Sequence, residues 1–172
     1  MSPREFTGVR RLTGRATQLA IISIAVFAHP AWAWSGKVSR VTDGDTLWVR
    51  PLGGGESVKL RMDGIDAPEI CQAGGRAARA ALAGRVKGHT VLVTSRYHDD
   101  YGRSVAAVSI GDEDIAGWMV RQGHALSYRY EGRSGAYLAL QGEAQSARRG
   151  LFADPHALHP RFFRKKHGSC YP

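Results

Sequence analysis

Val58-Lys59-Leu60-Arg61-Met62 alternates apolar and basic residues, the two-residue period of a strand that buries one face and leaves Lys59 and Arg61 on the other. The glycine turn Gly53-Gly54-Gly55 precedes it, and Lys37 to Val41 and Thr46 to Arg50 read as two further short strands, giving a three-stranded meander. Downstream, Gly74-Gly75 breaks the pattern before Arg76 to Val86, where Ala78, Leu82 and Val86 lie four apart and Gly88 is a stop signal. This spacing predicts a helix. Thr90 to Ser95 and Ser104 to Ile110 are β-branched runs separated by the polar stretch Arg96 to Arg103, hence two more strands joined by a loop of functional character. Asp112 is placed to cap a helix carrying Ile115, Trp118 and Met119 up to Gly123, and Ser134 another running to Gly150 with Leu138, Leu140 and Ala144.

Five short strands with the first helix between the third and fourth predict an α+β fold of OB type, a five-stranded Greek-key barrel with three helices. The chain has 172 residues, 43% of them apolar and 23% charged, which suits one packed domain and excludes a disordered or fibrous chain. Lys and Arg number 24 against 15 Asp and Glu, a formal charge of +9, so acidic partners are favoured.

Residues 1–33 are not expected to belong to the fold. Arg4, Arg10, Arg11 and Arg15 precede the apolar run Leu19 to Ala28, and Ala31-Trp32-Ala33 has the A-x-A form of a cleavage site, so a removed signal peptide and a domain over 34–172 are expected. A spanning helix needs about 20 apolar residues, which disfavours the rival reading of a membrane anchor. Arg10-Arg11 does not complete a twin-arginine pattern, and the export route stays open. Export places the protein in the periplasm or outside the cell. Cys71 and Cys170 both survive cleavage, and an even count in an oxidising compartment permits one disulfide tying the tail to the first third, two unpaired thiols being the alternative.

Three runs carry the chemistry: Asp43-Gly44-Asp45-Thr46, then Arg61-Met62-Asp63-Gly64-Ile65-Asp66-Ala67-Pro68-Glu69, then Asp99-Asp100-Tyr101-Gly102-Arg103. Singly, each is an ordinary turn or loop signal. In this order, and followed by Gln122 to Tyr130, they resemble the staphylococcal nuclease (thermonuclease) family from about Gly36 through Gly150. The resemblance implies a calcium-dependent nuclease acting on DNA and RNA and leaving 3′-phosphate ends. Asp45 and Asp66 would supply hard carboxylate oxygens to Ca²⁺, with the backbone carbonyl of Ala67 beside them and Asp43 acting through water. Glu69 takes the position of the general base, as a base or a water-positioner, and Arg61 and Arg103 those of the two phosphate-binding arginines, whose planar forks hold phosphate oxygens in pairs. Tyr128 and Tyr130 match pocket tyrosines, flanked by Tyr101. Stacking platforms of this kind favour single-stranded nucleic acid without sequence preference.

Three departures from the staphylococcal prototype stand out. Ala67 replaces a threonine, Asp100 replaces a basic residue before Tyr101, and the segment after Glu69 is shorter and contains Cys71. A non-catalytic OB module that binds single strands is the chief alternative; a carboxylate cluster would repel phosphate unless a cation intervened, which argues against it. A sugar-binding or structural OB domain is a weaker alternative, because the arginine pair would be superfluous. The C-terminal tail from about 151 holds His156, His159 and His167 among Pro and basic residues. It is expected to wrap the domain through Leu151, Phe152, Phe162 and Phe163 rather than to bind zinc. No membrane partner is expected after cleavage, and the protein is expected to be a monomer.

Overall fold

The computed structural model describes residues 32–128 and 134–170. Its strands are β1 (Ala33–Val41), β2 (Thr46–Pro51), β3 (Val58–Met62), β4 (Ile65–Asp66), β5 (Thr90–His98), β6 (Ser104–Ile110), β7 (Glu113–Asp114) and β8 (Leu126–Ser127). Its helices are α1 (Gly75–Val86), α2 (Ile115–Arg121), α3 (Leu138–Ser146) and α4 (Pro160–His167), with a 3₁₀ turn at Gly150–Ala153. The long strands lie in the order β3-β2-β1-β5-β6, and a parallel pairing of β3 with β6 brings the two ends of the sheet together. That pairing closes a five-stranded barrel of the OB arrangement and leaves none of its long strands with an open edge.

The alternation in β3 works as the sequence implies. Leu60 and Met62 are buried inside the barrel with Leu47, Val49, Val91, Val93, Ala106 and Val108, while Arg61 faces outward toward the carboxylates described below. The stripe Ala78, Leu82 and Val86 of α1 is buried in the same core, as are Ile115, Met119 and Val120 of α2. Truncating a fully buried leucine such as Leu60 or Leu82 to alanine would cost about 2 to 5 kcal/mol. Two bulges, at Ser39 in β1 and Arg96 in β5, break the ladder register. The second turns the end of β5, with Tyr97, toward the mouth of the barrel.

The helices differ from the sequence expectation in three places. Asp114, not Asp112, caps α2, its Oδ1 accepting from the Ala116 amide at 3.0 Å. α3 runs only over Leu138–Ser146, not from Ser134 to Gly150: Gly135 is packed on Ser127 and the Tyr128 backbone ahead of it, and Arg148 and Gly150 at positive φ of 50° and 51° turn the chain after it. A fourth helix, α4, forms where a tail was expected. Its signals were present: Pro160 at the first turn, His159 as N-cap accepting from the Arg161 amide, and Gly168 at a positive φ of 76° as the stop. Phe162 does not wrap the core as expected; it is 61% exposed, because the inner side of α4 is taken by Pro160, Phe163 and Arg164.

Cys71 and Cys170 form a disulfide with a Cα separation of 5.8 Å. The Gln72 side-chain amide adds a second tie by donating to the Leu158 carbonyl. Closing a loop this long stabilises by about 4 to 5 kcal/mol in the chain-entropy view. Among the described residues no helix is long and apolar enough to cross a membrane.

Candidate active site

The loop Asp43-Gly44-Asp45 enters β2 by pressing against α1, and Gly44 is required there: a Cβ would lie 2.7 Å from those of Ala67 and Ala78. Asp45 is thereby buried at the barrel mouth. Its Oδ2 accepts from Arg61 Nη1 at 2.9 Å and from the Ala67 amide at 3.1 Å, and its Oδ1 from the Thr46 hydroxyl at 2.9 Å. Burial pushes the Asp45 carboxyl up, but the Arg61 charge and these donors outweigh it and hold it below the ordinary carboxylate range. Asp43, whose Oδ1 accepts from the Asp45 amide at 3.0 Å, has no ion pair among the described residues: burial first, and the neighbouring Asp45 charge second, push it up to about 7. Two acids two residues apart are thus driven in opposite directions.

Arg61 reaches on from Asp45 to the Ile65 carbonyl at 3.3 Å and to Asp66 Oδ1 at 3.5 Å. Asp66 sits in β4, which pairs only with the two-residue β8, and its side chain is almost wholly buried. A second guanidinium, Arg164 from α4, donates through Nη2 to both Asp66 oxygens at 2.9 and 3.1 Å and through Nη1 to Glu69 Oε1 at 3.2 Å. Sequence reading missed this residue. Ion pairs with buried acids are expensive to break one partner at a time, so Arg164 ties the tail to the site firmly.

Across the mouth, Arg103 is positioned by Asp99, whose Oδ2 accepts from both its Nε and Nη2 at 2.7 Å. Desolvation raises the Asp99 carboxyl, but the hydrogen bonds and charge of Arg103 bring it below its ordinary value. The Arg103 guanidinium also lies over the Tyr101 ring, 5.3 Å from its centre. Arg61, Arg103, Tyr97, Tyr101 and Tyr128 together line a pocket of about 430 Å³. Tyr101 is 85% and Tyr128 41% exposed, and one face of the Tyr101 ring is covered by Arg103. Gly64, at a positive φ of 75°, holds this rim together by accepting from the Tyr128 amide at 2.8 Å.

The structure therefore gathers Asp43, Asp45, Arg61, Asp66, Ala67 and Glu69 into one cluster and sets Arg103, Tyr101 and Tyr128 on the wall beside it. Asp100 lines the same pocket without an ion pair among the described residues. Tyr130 lies outside the described residues. Ala67 contributes its amide, which donates to Asp45.

A closed OB barrel with a carboxylate cluster at one end, one arginine paired within it and a second across an adjoining tyrosine-lined pocket is the framework of an enzyme that handles phosphate esters. A family model described as staphylococcal nuclease homologue matches residues 59–154. The chain is 39% identical over 169 residues to a protein of Escherichia coli named ParB, covering 91% of this chain and 94% of that one. It is 36% identical over 158 residues to a micrococcal nuclease of Shigella flexneri, covering 85% and 88%, and 34% identical over 130 residues to an uncharacterized endonuclease of Haemophilus influenzae, covering 76% and 72%. The chain belongs to the staphylococcal nuclease family, and it is a nuclease hydrolase.

Proposed function

We propose that the protein is an exported, calcium-dependent nuclease that hydrolyses phosphodiester bonds of DNA and RNA, prefers single strands and leaves 3′-phosphate ends. The observation that carries this reading is the convergence of Asp45, Asp66 and Glu69 with two guanidinium groups at one end of the barrel, next to a pocket lined by exposed tyrosines. The carboxylate oxygens suit a hard cation. Arg164 bridges Asp66 and Glu69, so positive charge is already accommodated between them. Among the described residues no three of His, Cys, Asp and Glu form a ligand cluster by themselves. In this reading Asp45 and Asp66 would hold the ion, with the Ala67 carbonyl and water completing its shell and Asp43 acting through water. When bound, the ion supplies Lewis-acid stabilisation of the phosphate charge.

The remaining steps fall to the chain's own residues. Arg61 and Arg103 face one pocket from two sides and grip the equatorial phosphate oxygens, whose negative charge grows in the transition state. Glu69 orients an attacking water and takes up its proton through a carboxylate oxygen. Tyr128 and Tyr101, with Tyr130, stack on bases, a contact that every base accepts and that a duplex hides. The surplus of basic residues draws the polyanion in. The disulfide suits an oxidising compartment, in keeping with export of a chain cut after Ala33, and the working form is a monomer.

The test is digestion of labelled single-stranded DNA, RNA and duplex with Ca²⁺, with Mg²⁺ and with a chelator, followed by end analysis of the products. Cutting that requires Ca²⁺, favours single strands and leaves 3′-phosphates is the expected result. Equal cutting in chelator, or 5′-phosphate products, would contradict it.

A further inference from the structure

A groove of about 700 Å³ runs beside the active site between α3, the 3₁₀ turn and the first half of α4. Its lining includes Asp66 and Tyr128, and Tyr128 also lines the tyrosine pocket, so the two cavities meet at that side chain. Leu126, Leu138, Leu151 and Phe152 give it an apolar part, Gln141, Gln145 and Asp154 a polar one, and the N-cap His159 with Arg161 and Phe162 of α4 stands at its edge. Phe162 exposes 61% of its surface, with the His159 ring edge-on 5.8 Å away. The eight residues of α4 include Arg161, Arg164, Lys165 and Lys166 and no acid. One turn beyond the rim, Arg164 marks the junction with the active site, and the disulfide at Cys170 fixes the far end of the segment.

The geometry points to this groove as a second nucleotide subsite, which takes the single strand on the side of the scissile phosphate opposite the tyrosine pocket, with Phe162 stacking on a base and Arg161 holding a phosphate. An exposed aromatic beside a cation, above an apolar patch, is the combination that binds a base and its backbone together. Two acids line the groove: Asp66, whose charge is taken up by Arg61 and Arg164, and Asp154. With Arg161 at the rim, Lys165 and Lys166 on the same helix and continuity with the tyrosine pocket at Tyr128, the surroundings favour a polyanionic strand over an apolar peptide as the occupant. This assignment rests on the nuclease reading for its substrate.

The test is fluorescence anisotropy in chelator with labelled oligothymidylates of two, four and eight nucleotides, on wild type, Arg161→Ala, Phe162→Ala and the double variant. Wild type should gain at least about tenfold in affinity from two to eight nucleotides. The double variant should keep its dinucleotide affinity within about twofold, lose about tenfold on the octamer, and show a salt dependence shallower by about one phosphate contact. An unchanged octamer affinity in the double variant would overturn the subsite. Should the double variant fail to fold, Arg161→Gln and Phe162→Leu provide the same readout. Cleavage of the same oligonucleotides with Ca²⁺ is followed in parallel. Absent cleavage with the length effect intact would sink the calcium-nuclease reading and leave the subsite standing; cleavage with no length effect would do the reverse.

Discussion

Two arginines reach Asp66, and they come from regions of different kinds. Arg61 belongs to β3, hydrogen-bonded on one side to β2 and on the other to β6, so the barrel core fixes its backbone. Arg164 belongs to a peripheral helix with only Pro160 fully buried, held by its ion pairs with Asp66 and Glu69, by Gln72 and by the disulfide. The barrel half of the site is rigid because its residues share the core. The tail half is positioned by a few polar and covalent ties, each of which can be removed without touching the core.

That contrast is broken most severely from the barrel side. Arg61→Ala removes the fork proposed to grip the phosphate and leaves Asp45 buried without its ion-pair partner, so turnover of single-stranded DNA should fall by about a thousandfold with KM changed far less, read by steady-state kinetics. Cutting the tail's covalent tie comes next. Cys170→Ser should lower stability by about 4 to 5 kcal/mol, seen as a lower urea midpoint, while the near-ultraviolet signal of the barrel at low denaturant is retained.

Arg164→Gln sharpens the comparison instead of breaking it. Because its guanidinium competes for Asp66 and Glu69, divalent-cation affinity should rise by about three- to tenfold by calorimetric titration, and the melting temperature in chelator should drop. The smallest effect is one of pH. Burial lowers the His124 pKa below its ordinary value of 6.5, so as pH falls through that value the unfolded chain takes up a proton that the folded chain resists, and stability declines. Asp43, raised to about 7, works in the opposite direction over the same range, since the folded chain takes up its proton first. The His124 effect is therefore read as a difference: between about pH 7.5 and 5 the His124→Gln variant should lose less stability, or gain more, than wild type in urea melts.

The barrel half was legible in the sequence because its residues come in short runs whose spacing is dictated locally. Alternation in β3 puts Arg61 opposite Leu60 and Met62, and Asp66, Ala67 and Glu69 follow within eight residues. The loop that ends at Arg103 was readable for the same reason, since Asp99 closes it onto Arg103 four residues away. Arg164 was not legible. It stands 98 residues from Asp66 in a run of basic side chains that reads as a solvated tail, and no local period ties it to a carboxylate. Cys71 held the one available signal: it lies two residues after Glu69, so a bridge to Cys170 brings the basic segment just before Cys170 near the site. The exposure of Phe162 was unreadable as well, because composition alone assigns paired phenylalanines to packing.

The central claim is that the barrel performs the chemistry while the tail adjusts access to it. The most direct measurement is the single-turnover cleavage rate of one labelled single-stranded oligonucleotide at saturating Ca²⁺ by wild type, Glu69→Gln and Arg164→Gln side by side. The account predicts a loss of about a hundredfold or more for Glu69→Gln and no more than about tenfold for Arg164→Gln. A rate that survives Glu69→Gln but collapses in Arg164→Gln would place the chemistry on the tail and contradict it.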